Sequence, residues 1–254
     1  MRKEDIKSRE FGKVISIDID VMPCESVQGY NYRLDAIDHG SSWLWTFGLK
    51  NRGESGKHII YLINSLKCLF RQIRVHGAKE FLTNNIKDLC YEYGIELEIT
   101  EPYGHSQAGK EEKQHDIIDS MVRAWLKEAS LPRTLWFKAS VAAVFVSNRS
   151  TNSFLKPKTT PYERRYGTKP TVDNLKVYGC LCFAHVTKEK RNKLDDNAIR
   201  SIFVGYSTQS AGYELDELEQ NVFFTASSVE FVEEVFPGKE MVSELEDLLV
   251  SEER

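Results

Sequence analysis

A chain of 254 residues has room for one large domain or for a medium domain plus a small one, and 41% hydrophobic with 28% charged residues is the composition of a soluble globular protein. The longest nearly unbroken apolar run, Ala139–Val146 with Ser140 inside it, is far short of the roughly 20 residues of a membrane span, and MRKEDIKSRE offers no apolar stretch for a secretory signal. Membrane insertion and secretion are therefore not expected, which leaves the nucleus or cytoplasm. The net charge of −4 argues at first against a nucleic-acid partner, but residues 230–254 hold nine acids and two bases and so carry −7, leaving the body at +3.

Residues 1–11 are polar, and a frayed N-terminus is expected there. KVISIDIDV (13–21) is a β-branched run of the kind that forms a buried strand. YRLDAIDH (32–39) and WLWTFGLK (43–50), separated by Gly-Ser-Ser, predict a hairpin. Residues 56–71 place Ile59, Ile63, Leu66 and Phe70 on one helical face. QIRVHG (72–77) and ELEIT (96–100) predict two more strands, with a helix over Asn84–Tyr93 between them that Gly94 closes. A long helix is expected over 107–129, with apolar positions Ile117, Ile118, Met121, Val122, Trp125 and Leu126, and a second over about 133–148. This alternation predicts a mixed α/β layer fold over 12–148.

Residues 149–175 are rich in Pro, Thr, Lys and Arg and read as a linker. KVYGCLCFAHV (176–186), SIFVGYS (201–207), GYELDE (212–217) and NVFFTASSVEF (221–231) are short strand patterns broken by Gly and Asn, as in a small all-β barrel over 176–232. An acidic tail, 233–254, could add a helix near Met241–Val250.

The five cysteines (24, 68, 90, 180, 182) are odd in number and none are spaced CxxC, so reduced thiols are expected rather than disulfides or structural zinc. Asp18 sits inside an apolar strand, where a carboxylate is costly unless a cation or donor meets it. Asp20 shares its face by the two-residue strand period. Asp38 and His39 end the second strand, and Glu112 opens the long helix, where the helix dipole favours an acid. Each has a plainer reading: Asp18 paired with a base, Glu112 on a charged helix turn. Basic clusters at Lys156–Lys169 and Lys188–Lys193 are compatible with nucleic-acid contact or with solvated surface.

Several segments, in order, resemble copia-type LTR-retrotransposon integrases. GKVISIDIDV resembles the first strand, with its aspartate at Asp18. YRLDAIDHGSSWLWTFGLK resembles YFVTFIDDYSRKVWVYFLK, IRVHGAKEF (73–81) resembles IRSDNGGEF, and PYGHSQAGKEEKQH (102–115) resembles PYTPQQNGVAERKN. SLPRTLWFKASVAAVFVSNRS resembles the next helix, TTPYERRYGTKP (159–170) resembles TPYELWYGKKP, and 176–207 resembles the small barrel that follows the core. The likeness spans roughly residues 12–231.

The resemblance implies an α/β fold with an RNase H-like mixed sheet flanked by helices, followed by the small all-β barrel. It implies two aspartates and a glutamate binding two divalent cations, Mg²⁺ or Mn²⁺, which clamp the attacking and leaving oxygens of phosphoryl transfer. Water trims the element's DNA ends, and the exposed 3′-hydroxyl is then joined to target DNA. The carry-over is partial: the first aspartate falls on Asp18, the glutamate on Glu112, and the second aspartate on His76, with 35 residues between His76 and Glu112. Imidazole is neutral and cannot bridge two metals. Gly77-Ala78-Lys79 replaces Asn-Gly-Gly, Ala108 replaces an asparagine, and His39 replaces an aspartate beside the retained Asp38. A catalytically defective copy is expected, with Asp20 or Glu80 as conceivable substitute ligands, and with a non-enzymatic role in binding nucleic acid or a host protein as the alternative. Expected DNA contacts are Gln107, Lys110, Lys113, Lys156, Lys158, Arg164, Arg165, Lys188, Lys190 and Arg191. DNA and further copies of the chain are the implied partners. No zinc-binding module of two histidines and two cysteines precedes residue 12, so a truncated piece of a polyprotein is expected.

Overall fold

The structure, a computed structural model, describes residues 10–66, 69, 71–76, 83–100, 109–152, 155, 158–186, 196–208, 210–220 and 222–241, and for His76, Thr100 and residues 109–111 the backbone alone. It divides into two compact units, one of residues 1–118 with 144–172, the other of 119–143 with 173–254.

The first unit is built on five strands: β1 (Val14–Val21), β2 (Tyr32–Asp38), β3 (Leu44–Leu49), β4 (Gln72–His76) and β5 (Glu96–Thr100). Their order is β3-β2-β1-β4-β5. The first three are antiparallel, and β4 and β5 run parallel to β1. This mixed sheet has the RNase H-like arrangement expected.

Strand alternation divides the sheet's faces. One face offers Ile15, Ile17, Leu34, Ala36, Ile73 and Val75, all buried. Against it pack Ile59, Leu62 and Ile63 of α1 (Ser55–Ser65) and Ile86 and Cys90 of α2 (Asn84–Glu92). Each such aliphatic side chain contributes roughly 1.5–3 kcal/mol of burial. The other face begins with buried Ser16 and continues through Asp18 and Asp20. That polarity is why β1 is apolar in sequence for only half its length.

The helix expected over 56–71 ends earlier. The Leu66 amide bonds both Leu62 and Ile63 carbonyls, the tightened last turn of a terminating helix. Phe70 lies outside the described residues. At the sheet's edge, Asn148 near the end of α4 (Trp136–Arg149) replaces a missing strand: its amide nitrogen donates to the Leu44 carbonyl at 2.9 Å and its oxygen accepts from the Leu44 amide at 2.9 Å.

The chain passes from the first unit into the second within α3 (Gly109–Glu128) and returns to the first within α4. Ile118, Val122 and Leu126 of α3 are buried, whereas Ile117 is 43% exposed, so the apolar stripe is narrower than expected. Inside the stretch read as a linker lies α5 (Pro161–Tyr166), with Thr160 capping the Glu163 amide, Pro161 in the first turn and Gly167 left-handed at its end.

The second unit carries a five-stranded antiparallel sheet: β6 (Leu181–His185), β7 (Ala198–Tyr206), β8 (Tyr213–Glu217), β9 (Phe223–Ala226) and β10 (Val229–Val232), in the order β10-β6-β7-β8-β9. The single strand expected over 221–231 is two, separated by Ser227-Ser228 and lying at opposite sheet edges. A two-residue link between the two edges requires the sheet to curl back on itself, which is the small barrel expected. Phe203 forms its centre, edge-on to Tyr206, Tyr213 and Phe231 with ring centroids 5.2–5.8 Å apart. β6 starts later than expected because Gly179, at φ +82, breaks the extended run; a Cβ there would lie 2.3 Å from that of Ala129. The expected tail helix falls mostly on residues outside those described.

Cys90, Cys180 and Cys182 are buried thiols outside any disulfide, and Cys24 is half-buried. Brief alkylation of the folded chain at pH 8, read by peptide mass spectrometry, should label Cys24 and spare Cys90, Cys180 and Cys182 until denaturant is added. Among the described residues, no helix is long and apolar enough to cross a membrane.

Candidate functional site

Among the described residues, the first unit's sheet buries charge on its polar face. Pairing of β1 with β2 sets Asp18 opposite Asp35 and Asp20 opposite Arg33. Residues paired across antiparallel strands share a face, so these four side chains form a two-by-two block. Arg33 is 1% exposed, with its NH2 nitrogen 3.0 Å from an Asp20 oxygen and its Nε 2.8 Å from Asp35. Asp35 is 2% exposed, and neither of its carboxylate oxygens accepts a hydrogen bond.

From α3 comes His115. Its Nδ1 stands 3.9 Å from an Asp18 oxygen, while its Nε2 is buried without a hydrogen-bond partner. The other Asp18 oxygen accepts the Ile19 amide at 2.8 Å. Ligand atoms of Asp20, Asp35 and His115 all lie within 4.8 Å of one another. Burial pushes the Asp20 carboxyl above its usual range; Arg33 pulls it back, and the neighbouring Asp35 and Asp18 charges push it further up.

The other expected residues are placed as follows. His76 ends β4, one position beyond the Ile17–Val75 pair and therefore beside Asp18 in the sheet. Glu112 lies on α3 one turn before His115 and is exposed. Asp38 is fully buried and holds the turn after β2: it accepts from the Ser41 amide at 2.7 Å, the Ser41 hydroxyl at 2.5 Å and the Gly12 amide at 2.8 Å. Its burial raises the carboxyl pKa, with those donors opposing the rise. His39 Nε2 lies 2.8 Å from the Ser16 hydroxyl.

Of the expected DNA contacts, Lys113, Lys158, Arg164 and Arg165 have described side chains. The Arg165 guanidinium is committed to an aromatic enclosure, 4.4 Å from the Trp43 ring centroid and 5.0–5.3 Å from those of Phe11, Trp45 and Tyr166. Arg164 is exposed, its Nε donating to the Thr159 hydroxyl at 3.1 Å. Glu80, Gln107, Lys156, Lys188, Lys190 and Arg191 lie outside the described residues, and Lys110 is described by its backbone alone.

Arg33, Asp35 and His115 were missed by the sequence reading. The signal was present in the quoted motifs: YRLDAIDH against YFVTFIDD puts Arg33 on a phenylalanine and Asp35 on a threonine, and KEEKQH against VAERKN puts His115 on an asparagine. The strand register brings Arg33 and Asp35 onto the face of Asp18 and Asp20, and the approach of α3 adds His115.

Residues 180–244 match the model of the retroviral polymerase SH3-like domain, which takes in β6 to β10. The chain is 31% identical over 204 residues to the retrovirus-related Pol polyprotein from transposon TNT 1-94 of Nicotiana tabacum, covering 76% of this chain. It is 28% and 27% identical over 225 residues to the corresponding polyproteins from transposons RE1 and RE2 of Arabidopsis thaliana, covering 87% of this chain. The chain is related to copia-type retrotransposon Pol polyproteins. It spans about 15% of the length of each. Among solved structures, it is similar to a chain of the simian T-cell lymphotropic virus intasome in complex with PP2A regulatory subunit B56 gamma, at 13% identity and a TM-score of 0.49 over 87% of this chain and 77% of that one.

Proposed function

We propose that this chain is the core and following barrel of a retrotransposon integrase whose two-metal centre no longer supports DNA joining. The observation that carries this reading is Arg33, a buried guanidinium held between Asp20 and Asp35 on the face that bears Asp18.

Two hard cations need several anionic oxygens converging from separate strands and a helix. At the position beside Asp18, His76 supplies no carboxylate. Asp20, the nearest substitute, is paired with Arg33. A fixed positive charge about 3 Å from those oxygens cancels one of the negative charges that two divalent ions require, and it cannot itself bridge two phosphoryl oxygens as a metal pair does. The ligand set therefore does not fit two Mg²⁺ ions. Loss of one metal carboxylate alone should cost at least ~10³-fold in rate.

Incubating the chain with matched-end duplexes in Mg²⁺ or Mn²⁺ should yield no strand-transfer product above that of Glu112→Gln. His76→Asp alone should not restore joining, because Arg33 remains. Joining by the unaltered chain that disappears in Glu112→Gln would overturn the reading.

A further inference from the structure

We propose that Asp20, Asp35 and His115 form a mononuclear site for a borderline transition-metal cation such as Zn²⁺, displaced along β1 from the carboxylate row Asp18 belongs to. It does not depend on the integrase reading.

Charge is the first argument. Asp18, Asp20 and Asp35 against Arg33 sum to −2, before His115 is counted. One divalent ion cancels that charge. The second argument is Asp35. A carboxylate 2% exposed whose two oxygens accept no hydrogen bond has been taken from water without full compensation. Arg33 faces one oxygen at 2.8 Å and leaves the other open. The third is His115. With Nδ1 turned to Asp18 at 3.9 Å, Nε2 is the ring atom left for an ion, and it is buried without a partner. A carboxylate behind one ring nitrogen and a metal on the other is the usual way a ligating histidine is oriented. Asp18 is then a positioning residue for this site.

Geometry is compatible. The ligand atoms lie within 4.8 Å of one another, and a tetrahedral ion with bonds of roughly 2.1 Å holds its ligands about 3.4 Å apart, so the two carboxylates and the ring draw in by up to about 1.4 Å on binding. Two carboxylates and an imidazole favour Zn²⁺, Mn²⁺ or Fe²⁺ over Mg²⁺, which holds to all-oxygen, largely hydrated sites.

Zn²⁺ titration of the reduced chain by calorimetry tests this, with Co²⁺ spectra identifying oxygen and nitrogen ligation by the absence of a thiolate charge-transfer band. One Zn²⁺ per chain is expected. Binding should be lost in Asp35→Asn and in His115→Gln, weakened ~10–100-fold in Asp18→Asn, and unchanged in His76→Asn. Because burying an amide at Asp35 could compromise folding, His115→Gln, on the half-buried helix face, serves as the second variant, and melting in EDTA checks both. Absence of binding, thiolate-type Co²⁺ spectra, or binding unaffected by His115→Gln would each overturn the proposal. A chain that binds Zn²⁺ here yet joins DNA in Mg²⁺ would overturn the functional reading alone.

Discussion

Arg33→Met is expected to destabilise the first unit by about 3–5 kcal/mol in the presence of EDTA, among the largest effects of any single substitution in that unit. The reason lies in what remains. Asp35, 2% exposed, and Asp20 would keep their charges on a face from which their fixed cation had been removed. Methionine fills the volume of the arginine stem but neutralises nothing. The unit's response is either to protonate both carboxyls or to admit water between β1 and β2. Hydrogen exchange of the β1 and β2 amides is the suitable measurement, because it reads this unit separately from the barrel. Pairing the change with Asp35→Leu should recover most of the loss, since replacing a buried ion pair by apolar residues is often nearly neutral. Equal protection in wild type and Arg33→Met would mean that the ion pair contributes little and would remove the argument.

The same cluster shows where sequence reasoning stopped. β1 was legible because its β-branched run has no competing reading, and the β2–β3 hairpin because Gly-Ser-Ser separates two aromatic-rich strands. The mixed sheet followed from the resemblance and was met by the observed pairing of antiparallel and parallel strands. The charged block was not legible, because alternation alone says that Arg33 and Asp35 share a face but not which one. That information resides in the register, which sets Asp18 against Asp35 across 17 residues of chain. His115 is similarly silent: its helix position is clear from the periodicity, whereas its approach to Asp18 depends on how α3 lies over the sheet.

Asp38 illustrates the opposite case. It is retained in the motif and invites a catalytic reading, yet its three donors come from Ser41 and Gly12, and its work is to close a turn. In the barrel, the β9–β10 break was hidden because Ser227-Ser228 carries neither the glycine nor the asparagine that marks its other turns. There the two edges are identified by their partners, β8 for one and β6 for the other.

The barrel should unfold in alkali, between about pH 9 and 12, because it buries two thiols and a phenol, against one buried thiol raised in the same direction, Cys90, among the described residues of the first unit. Burial pushes the Cys180 thiol up from 9.0 to about 12, with the Glu233 charge adding to the rise. Burial likewise pushes Cys182 to about 12, and its Sγ donates to the Ser201 carbonyl at 3.3 Å. Tyr178, 3% exposed, is raised in the same direction by burial and by the Asp216 and Glu214 carboxylates. The sign follows from proton counts. Between the unfolded and folded values the native state holds more protons than the unfolded chain, so stability is intact below about pH 9 and falls as pH rises. Three units on one thiol correspond to at most about 4 kcal/mol, and even half of that from each of two thiols is comparable with the stability of a small domain. Thiolate absorbance at 240 nm and phenolate absorbance at 295 nm should therefore rise together with loss of the barrel's circular dichroism, in one step above the ordinary thiol range. Cys180→Ala with Cys182→Ala, if it folds at neutral pH, should move that step upward and leave Tyr178 as the residual trigger. In a chain carrying Cys24→Ser, Cys68→Ser and Cys90→Ser, thiolate absorbance titrating near pH 9 with the dichroism unchanged would show that the two sulfurs are open to solvent and would remove the argument.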